Sequence, residues 1–255
     1  MGSAAVSDIE VTERAQAWRR KAFVTSCDVI ESWEYGSVMR SSRYPTYYEL
    51  NVVRVERPSP LGVEELIAFA DEALAGLEHR FIEFDDVDAA AALRADFERR
   101  GWRSMRLVWM RHADPLRPGR EAAIVEVPYD AVRELRVRWH HEDFPGVDPS
   151  DFHEQAREVS LQRGARVLAA RDGDVPIAFA QLEHHDDAVE ISEVYVRGDR
   201  RGAGLGTAVT RAAIAAAGDV RDLWICADDE GRPKHLYRRL GFRPAWTMMQ
   251  FLRLP

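Results

Sequence analysis

The fold and chemistry of this chain are indicated by one short segment, Arg201-Gly202-Ala203-Gly204-Leu205-Gly206-Thr207. It follows a β-branched apolar run that ends at Val196 and precedes an Ala-rich stretch with helical composition up to Ala217. Glycines at such a junction let backbone N–H groups point into one concavity, where the positive end of the helix dipole attracts anions. The segment therefore predicts a turn that grips a pyrophosphate.

Other interpretations of the segment account for it less well. The hypothesis that the glycines form only a flexible loop is not excluded. It gives no role to Arg201, whose guanidinium can neutralise phosphate charge. A dinucleotide-binding G-x-G-x-x-G fingerprint fails because its third glycine falls on Thr207 and about one βα unit remains after it. A P-loop fails because the segment has no Gly-Lys-Ser/Thr.

The sequence around the turn predicts the element order β-α-α-β-β-β-α-β-α-β, with an antiparallel meander before the turn. The predicted segments are, in order, 123–127, 129–141, 149–162, 166–170, 176–183, 189–196, 207–217, 223–227, 233–240 and 247–252.

A domain boundary is predicted in the polar segment 112–120, which carries prolines and a glycine and follows an apolar run. The 255 residues then divide into domains of 1–118 and 119–255. The halves share a pattern, because 97–102 aligns with 237–242 and a strand and helix over 48–75 imitate those of 189–217. A diverged internal duplication explains this pattern.

These features resemble the GNAT superfamily of N-acetyltransferases. Its signature R/Q-x-x-G-x-G/A is matched by residues 201–206, and a later L-Y-x-x-x-G-F motif is matched by residues 236–242. The resemblance covers about residues 122–255. It implies an α+β fold of tandem GNAT-like domains, each a mixed, mostly antiparallel sheet flanked by helices, with a splayed acyl-CoA-binding sheet in the C-terminal domain.

The resemblance also implies acetyl-CoA as cosubstrate. The cofactor-binding residues it implies are Val194, Tyr195, Val196, Arg201, Gly202, Ala203, Gly204, Leu205, Gly206, Thr207, Glu230 and Tyr237. Glu230 stands where the family usually carries Asn, which puts that contact in question. In the first half the aligned turn, 56–61, carries prolines instead of glycines and the residue aligned with Tyr237 is Phe97, so that half is expected to bind no cofactor.

Acetyl transfer to an amine needs a carboxylate that collects a proton, directly or through a water. Glu190 and Glu193 lie on the strand that splays in the family, and their odd spacing places them on opposite faces unless a bulge intervenes. Glu190 is slightly favoured, and a solvated strand carboxylate is the alternative for either. Tyr237 matches the tyrosine that protonates the departing CoA thiolate in the family, with plain packing as its alternative.

The acceptor is expected to be a primary amine on a small or amino-acid-like molecule. Trp139, Asp143 and Phe144 lie in a region that lines the acceptor site in similar enzymes. The pairs 140–141 and 184–185 are adjacent histidines without helix-spaced partners, so they are expected to be surface residues and no metal site is predicted.

The overall composition argues against two classes of partner, nucleic acid and membranes. A net charge of −8 argues against nucleic acid, and no apolar stretch of about 18 residues is present to span a bilayer. Residues 1–6 carry no signal-peptide pattern, so a cytoplasmic protein is expected, either monomer or homodimer. A non-catalytic acyl-CoA sensor and a scaffold protein are the alternative functions.

Overall fold

A computed structural model describes residues 7–116, 123–185 and 187–255, without the side chain of residue 185. Two compact units combine distant parts of the sequence. The first unit comprises Met1–Trp109, Ala227–Gly231 and Pro244–Pro255, and the second comprises Met110–Cys226 and Arg232–Arg243. The predicted boundary between residues 118 and 119 lies outside the described residues.

The secondary structure agrees with the α+β class predicted from the sequence. The helices are α1 (Asp8–Val24), α2 (Val63–Ala73), α3 (Val87–Arg99), α4 (Arg133–Asp143), α5 (Ser150–Gln162), α6 (Leu205–Ala217) and α7 (Pro233–Arg239). The strands are β1 (Val29–Trp33), β2 (Gly36–Arg40), β3 (Val52–Val55), β4 (Arg80–Phe84), β5 (Arg103–His112), β6 (Ile124–Val127), β7 (Arg166–Asp172), β8 (Val175–His185), β9 (Ala188–Val196), β10 (Asp222–Asp228) and β11 (Phe242–Arg253).

The sheet of the first unit has the strand order β1-β2-β3-β4-β11-β5. Strands β3 and β4 are parallel, with Arg54 opposite Glu83, whereas β1–β2, β2–β3 and β4–β11 are antiparallel. Aromatic side chains fill its core, where the rings of Phe97 and Phe251 stack at 4.2 Å. The last strand of the chain is therefore part of the first unit's core.

One predicted strand of the first half begins later than the sequence pattern suggested. Residues 48–50 form a 3-10 turn, and β3 starts only at Val52. The buried side chain of Asn51 explains the difference, because its amide donates to the carbonyl of Tyr44 and its oxygen accepts from the N–H of Ser41. These bonds hold the chain in a turn where the apolar pattern alone favours a strand.

The second unit follows the predicted order of elements closely. Its sheet runs β10-β9-β8-β7-β6, and α4 packs through Leu135 against Phe179 and Tyr195 on one face. The helix predicted from residue 129 starts as a 3-10 turn over Tyr129–Val132 and becomes α-helical at Arg133.

Strand β9 is the element that separates from its neighbour. Its parallel pairing with β10 runs from Ala188 opposite Asp222 to Ile191 opposite Ile225, the last pair found among the described residues. Beyond Ile191, β9 continues to Val196 while its other edge stays paired with β8. The edge of residues 192–196 that faces away from β8 thus presents backbone N–H and C=O groups.

Candidate active site

The glycine-rich segment forms a tight turn between β9 and α6. Gly202 and Gly204 have φ angles of 83° and 81°, and Gly204 is the N-cap of α6. Such positive φ angles favour glycine, and the first N–H groups of a helix lack internal partners. At Gly206 an added Cβ would lie 3.4 Å from a Leu236 methyl carbon and 3.5 Å from one of Val196. The glycines therefore serve both the turn's conformation and its close packing.

Arg201 is held at this turn by a carboxylate that the sequence did not indicate. Its Nη2 donates to Glu142 in the last turn of α4, and its Nε donates to the carbonyl of Val196 at 3.1 Å. The hydroxyl of Tyr195 donates to the other oxygen of Glu142 at 2.8 Å. The hydrogen bond that Arg201 donates to Glu142 raises the pKa of Arg201. Burial, followed by the hydrogen bond to Glu142, raises the pKa of Tyr195 to about 12.

A β-bulge at Ser192 decides the orientation of the two candidate acids. Glu190 lies opposite Glu183, and Glu193 lies opposite Gln181, with the register shift between these pairs. Residues 181 and 183 are two apart on β8 and so share a face, and directly opposed residues share it too. Glu190 and Glu193 therefore lie on the same face, and the opposite-face orientation expected from their odd spacing does not occur.

That face carries a hydrogen-bonded set of polar side chains, named here the polar belt. Its members are Arg136, Ser160, Arg163, Gln181, Glu183, Ser192 and Glu193.

Arg136 of α4 is central to the polar belt. Its side chain is 4% exposed, its Nε donates to Glu193 at 3.0 Å, and its Nη2 donates to the side-chain oxygen of Gln181. The nitrogen of Gln181 in turn donates to Glu183 at 2.9 Å, and Arg163 lies 3.3 Å from the other oxygen of Glu183. The polar belt thus pairs the carboxylates of Glu183 and Glu193 with arginine side chains next to the bulge.

Tyr237 projects from the short helix α7 into the core of the second unit. It is 5% exposed, and burial, with a smaller contribution from Cys226, raises its pKa. The same motif has glycine at position 241 because a side chain there would collide with the backbone of Asp114. Gly241 has a φ of 94°, and an added Cβ there would lie 2.4 Å from the carbonyl oxygen of Asp114. The L-Y-x-x-x-G-F motif therefore fixes α7 and the Tyr237 side chain to the rest of the unit.

The residues predicted near the acceptor lie on and after α4. The Trp139 ring stacks on that of Tyr195 at 5.6 Å, and Phe144 packs against His140 at 5.2 Å. Asp143 is the last residue of α4. His140 is buried, in contrast to the surface position expected for it, because it packs between Phe144 and Phe152.

Glu230 belongs to the first unit and is engaged there. Arg94 of α3 donates to its two carboxylate oxygens at 2.6 and 2.9 Å, and this hydrogen bonding lowers the pKa of Glu230. A carboxylate in this state repels a phosphate and accepts, rather than donates, hydrogen bonds. A cofactor contact by Glu230 stays a prediction.

In the part of the chain that the structure describes, no cluster of His, Cys, Asp or Glu is arranged to hold a metal ion. The described helices also include none that is long and apolar enough to cross a bilayer.

Comparison with known proteins agrees with this geometry. Residues 129–242 match the acetyltransferase (GNAT) family. A mycothiol acetyltransferase from Nocardia farcinica (strain IFM 10152) is 37% identical over 133 residues, which cover 49% of this chain and 42% of that protein. The chain therefore spans about two fifths of the length of this curated relative.

Solved structures show the same fold over most of the chain. A functionally unknown conserved protein from Staphylococcus epidermidis ATCC 12228 has a TM-score of 0.64 at 15% identity, covering 89% of this chain and 94% of its own. A GCN5-related N-acetyltransferase from Kribbella flavida has a TM-score of 0.56 at 19% identity and covers 94% of both chains.

Residues 129–242 thus match the GNAT acetyltransferase family in sequence, in the part of the chain where the sequence predicts the acetyltransferase domain.

Proposed function

We propose that this protein transfers an acetyl group from acetyl-CoA to a primary amine of a small molecule, by direct attack in a ternary complex. The observation that carries this proposal is the conjunction of a strand β9 that continues past its described pairing with β10, a positive-φ glycine turn at its end, and two carboxylates on one face at its bulge. The curated relative, named for mycothiol, supports a small-molecule acceptor.

The cofactor is proposed to bind along β9 and across the turn. The backbone of Val194 and Val196 would hold the pantetheine arm as an added strand. The first N–H groups of α6, together with residues 202–207, would hold the pyrophosphate. Arg201 would contribute charge once the cofactor phosphates replace Glu142 as its partner, because a guanidinium binds phosphate in the same fork geometry as carboxylate.

The reaction proposed for the second unit needs only acetyl-CoA and the amine as reactants. The neutral amine nitrogen bonds to the acetyl carbon while the carbon–sulfur bond breaks, giving an amide and CoA. The amine's surplus proton passes to a carboxylate, directly or through a water. Glu190 is proposed for this role, because it lies on the same face as Glu193, whose carboxylate already accepts a hydrogen bond from Arg136.

Tyr237 is proposed to donate its hydroxyl proton toward the departing sulfur. Because burial raises its pKa, Tyr237 stays protonated at neutral pH and is always able to donate. A phenol with a raised pKa is a weaker acid than a thiol, so its main contribution is a hydrogen bond to the developing thiolate.

The first half is proposed to be a degenerate GNAT-like domain, so that one chain binds one cofactor. The parallel pairing of β3 with β4 runs through Val55 opposite Phe84, at the ends of both strands. The buried Arg54 side chain donates to Glu83 across this pair at 3.0 Å. Under this proposal, the pairing of β3 with β4 up to their ends would leave no cleft like the one proposed beside β9.

The direct test is release of free CoA from acetyl-CoA with a panel of primary amines, with the acetylated product identified by mass spectrometry. The expected result is amine-dependent release that Glu190→Gln and Tyr237→Phe each reduce. Tight CoA binding without turnover on any amine would favour the sensor alternative. Calorimetry that detects no acetyl-CoA binding would contradict both and leave a scaffold.

A further inference from the structure

A separate cavity lies between α4, the 3-10 turn before it, and α5, all within the second unit. Its volume is about 480 Å³, within the range of small-molecule sites. It is lined by Tyr129, Asp130, Arg133, Arg136, His153, Glu154, Arg157 and Glu158. Ionisable side chains thus form nearly the whole wall, which suits a charged ligand rather than an apolar one.

Two of the lining side chains, Arg157 and Asp130, already form an ion pair with each other. Arg157 binds both carboxylate oxygens of Asp130, at 2.6 and 2.7 Å, in a bidentate arrangement. Arg133, the first residue of α4, forms no ion pair among the described residues, and the nearby carboxylate of Asp130 is the one held by Arg157. Arg133 therefore offers the cavity a positive charge.

Two buried polar atoms of the lining residues lack partners. Arg136 leaves its Nη1 without an acceptor, although its Nε and Nη2 are bonded within the polar belt. The Nε2 of His153 is also buried and unpaired. Arg136 and His153 thus each bring a polar atom without a protein partner among the described residues to the lining of this cavity, where buried polar atoms are usually satisfied. A polar ligand in the cavity would satisfy them.

We infer that this cavity binds the carboxylate of an amino-acid-like acceptor, with Arg133 and Nη1 of Arg136 as its donors. Glu154 and Glu158 of α5 give the other wall the negative charge that suits the ammonium group of the same ligand. The inference rests on the proposed function, because the cavity borders the reacting face through Arg136, which contacts both the cavity and Glu193.

Matched pairs of ligands that differ only in the carboxylate test this inference. Binding of L-lysine against cadaverine, and of L-ornithine against putrescine, is measured by calorimetry on protein saturated with CoA. A charge-assisted carboxylate contact contributes about 1.5–3 kcal/mol, so the acid of at least one pair is expected to bind about 10-fold more tightly or better. Arg133→Met should abolish this preference, whereas Arg138→Met, an exposed arginine on the same helix, should keep it.

Equal affinities within both pairs, or a preference unchanged in Arg133→Met, would overturn the inference. Acetylation of the decarboxylated amines alone would support the proposed function and also overturn the inference. A calorimetric preference for the acid that depends on Arg133, without acetyl transfer to any amine, would support the carboxylate site and contradict its use by an acceptor, and with it the proposed function.

Discussion

Arg136 and Glu193 form an ion pair between α4 and the bulge of β9, with Nε and Oε2 3.0 Å apart. The guanidinium is 4% exposed and the carboxylate 27%. The carboxylate of Glu193 is thus already engaged as the hydrogen-bond acceptor of a buried guanidinium. We therefore expect Glu190 and Glu193, which share one face of the sheet, to have different roles.

Glu190→Gln is expected to lower kcat by about 10²-fold or more with a small change in KM, because the amine's proton loses its acceptor. Glu193→Gln is expected to lower kcat less and to destabilise the fold, because it leaves the guanidinium of Arg136 without its carboxylate. Steady-state kinetics and urea unfolding of both variants measure these effects. A larger loss of kcat in Glu193→Gln would reverse the assignment.

Tyr237→Phe is expected to lower kcat by about 10²-fold while KM for acetyl-CoA changes little, because a hydrogen bond to the thiolate forms mainly in the transition state. Tyr48→Phe in the first unit is the matched control and should retain full activity. Unchanged kcat in Tyr237→Phe would mean that this side chain only packs the core.

Gly204→Val is expected to abolish CoA binding, because a branched side chain at a φ of 81° strains the turn and fills the space for the pyrophosphate. Gly173→Val provides the control, since Gly173 also has a positive φ, 60°, and an added Cβ there meets no atom within 4 Å. Calorimetric titration with CoA compares the two. Loss of binding in both variants would point to unfolding rather than to a blocked site.

Glu142→Gln is expected to tighten CoA binding about 3- to 10-fold at low salt, because Arg201 no longer exchanges a carboxylate partner for the cofactor's phosphates. The gain should shrink as the salt concentration rises, since the pair is partly exposed. Glu134→Gln, at an exposed position on the same helix, should bind CoA as the unmodified protein does. Weaker binding in Glu142→Gln would show that Glu142 positions Arg201 instead of competing for it.

The stability of the first unit is expected to depend on pH through His79. Burial lowers its pKa to about 4, so the folded state keeps it neutral while the unfolded state takes up a proton below about pH 6.5. The stabilisation is complete above pH 6.5 and is lost as the pH falls toward 4, by up to about 3 kcal/mol.

Urea unfolding followed from pH 7 to 4 measures this loss, and His79→Gln should flatten it. His235→Gln, a substitution in the second unit, is the control and should leave the pH dependence in place. An equally steep loss of stability in His79→Gln would contradict the role of His79.

The parts of the site that sequence predicted depend on local rules. A run of glycines between a strand and a helix indicates a tight turn with positive φ angles, so the turn at residues 202–206 could be predicted from the sequence. Helix α6 and strand β9 follow from composition and periodicity over a few residues. Helix α7, which carries Tyr237, could be predicted because its motif includes Gly241, whose positive φ favours glycine and so leaves a mark in the sequence.

The parts that sequence missed depend on contacts between distant segments. No glycine or proline marks the bulge at Ser192, which is defined only by its pairing with β8. Gln181 and Arg136 are single polar residues in otherwise ordinary strand and helix patterns, and only the fold brings them to Glu193. The link between Glu142 and Arg201 spans 59 positions, beyond the reach of any local pattern.

The position of β11 between β4 and β5 has a consequence for how the protein is made. The first unit needs Pro244–Pro255 for its core, so it cannot finish folding while the ribosome is still adding those residues. The sheet of the first unit therefore stays incomplete while the second half is synthesised, and its apolar strands are accessible to chaperones during that time. Expressing residues 1–118 alone would remove β11 and leave that sheet without its inner strand.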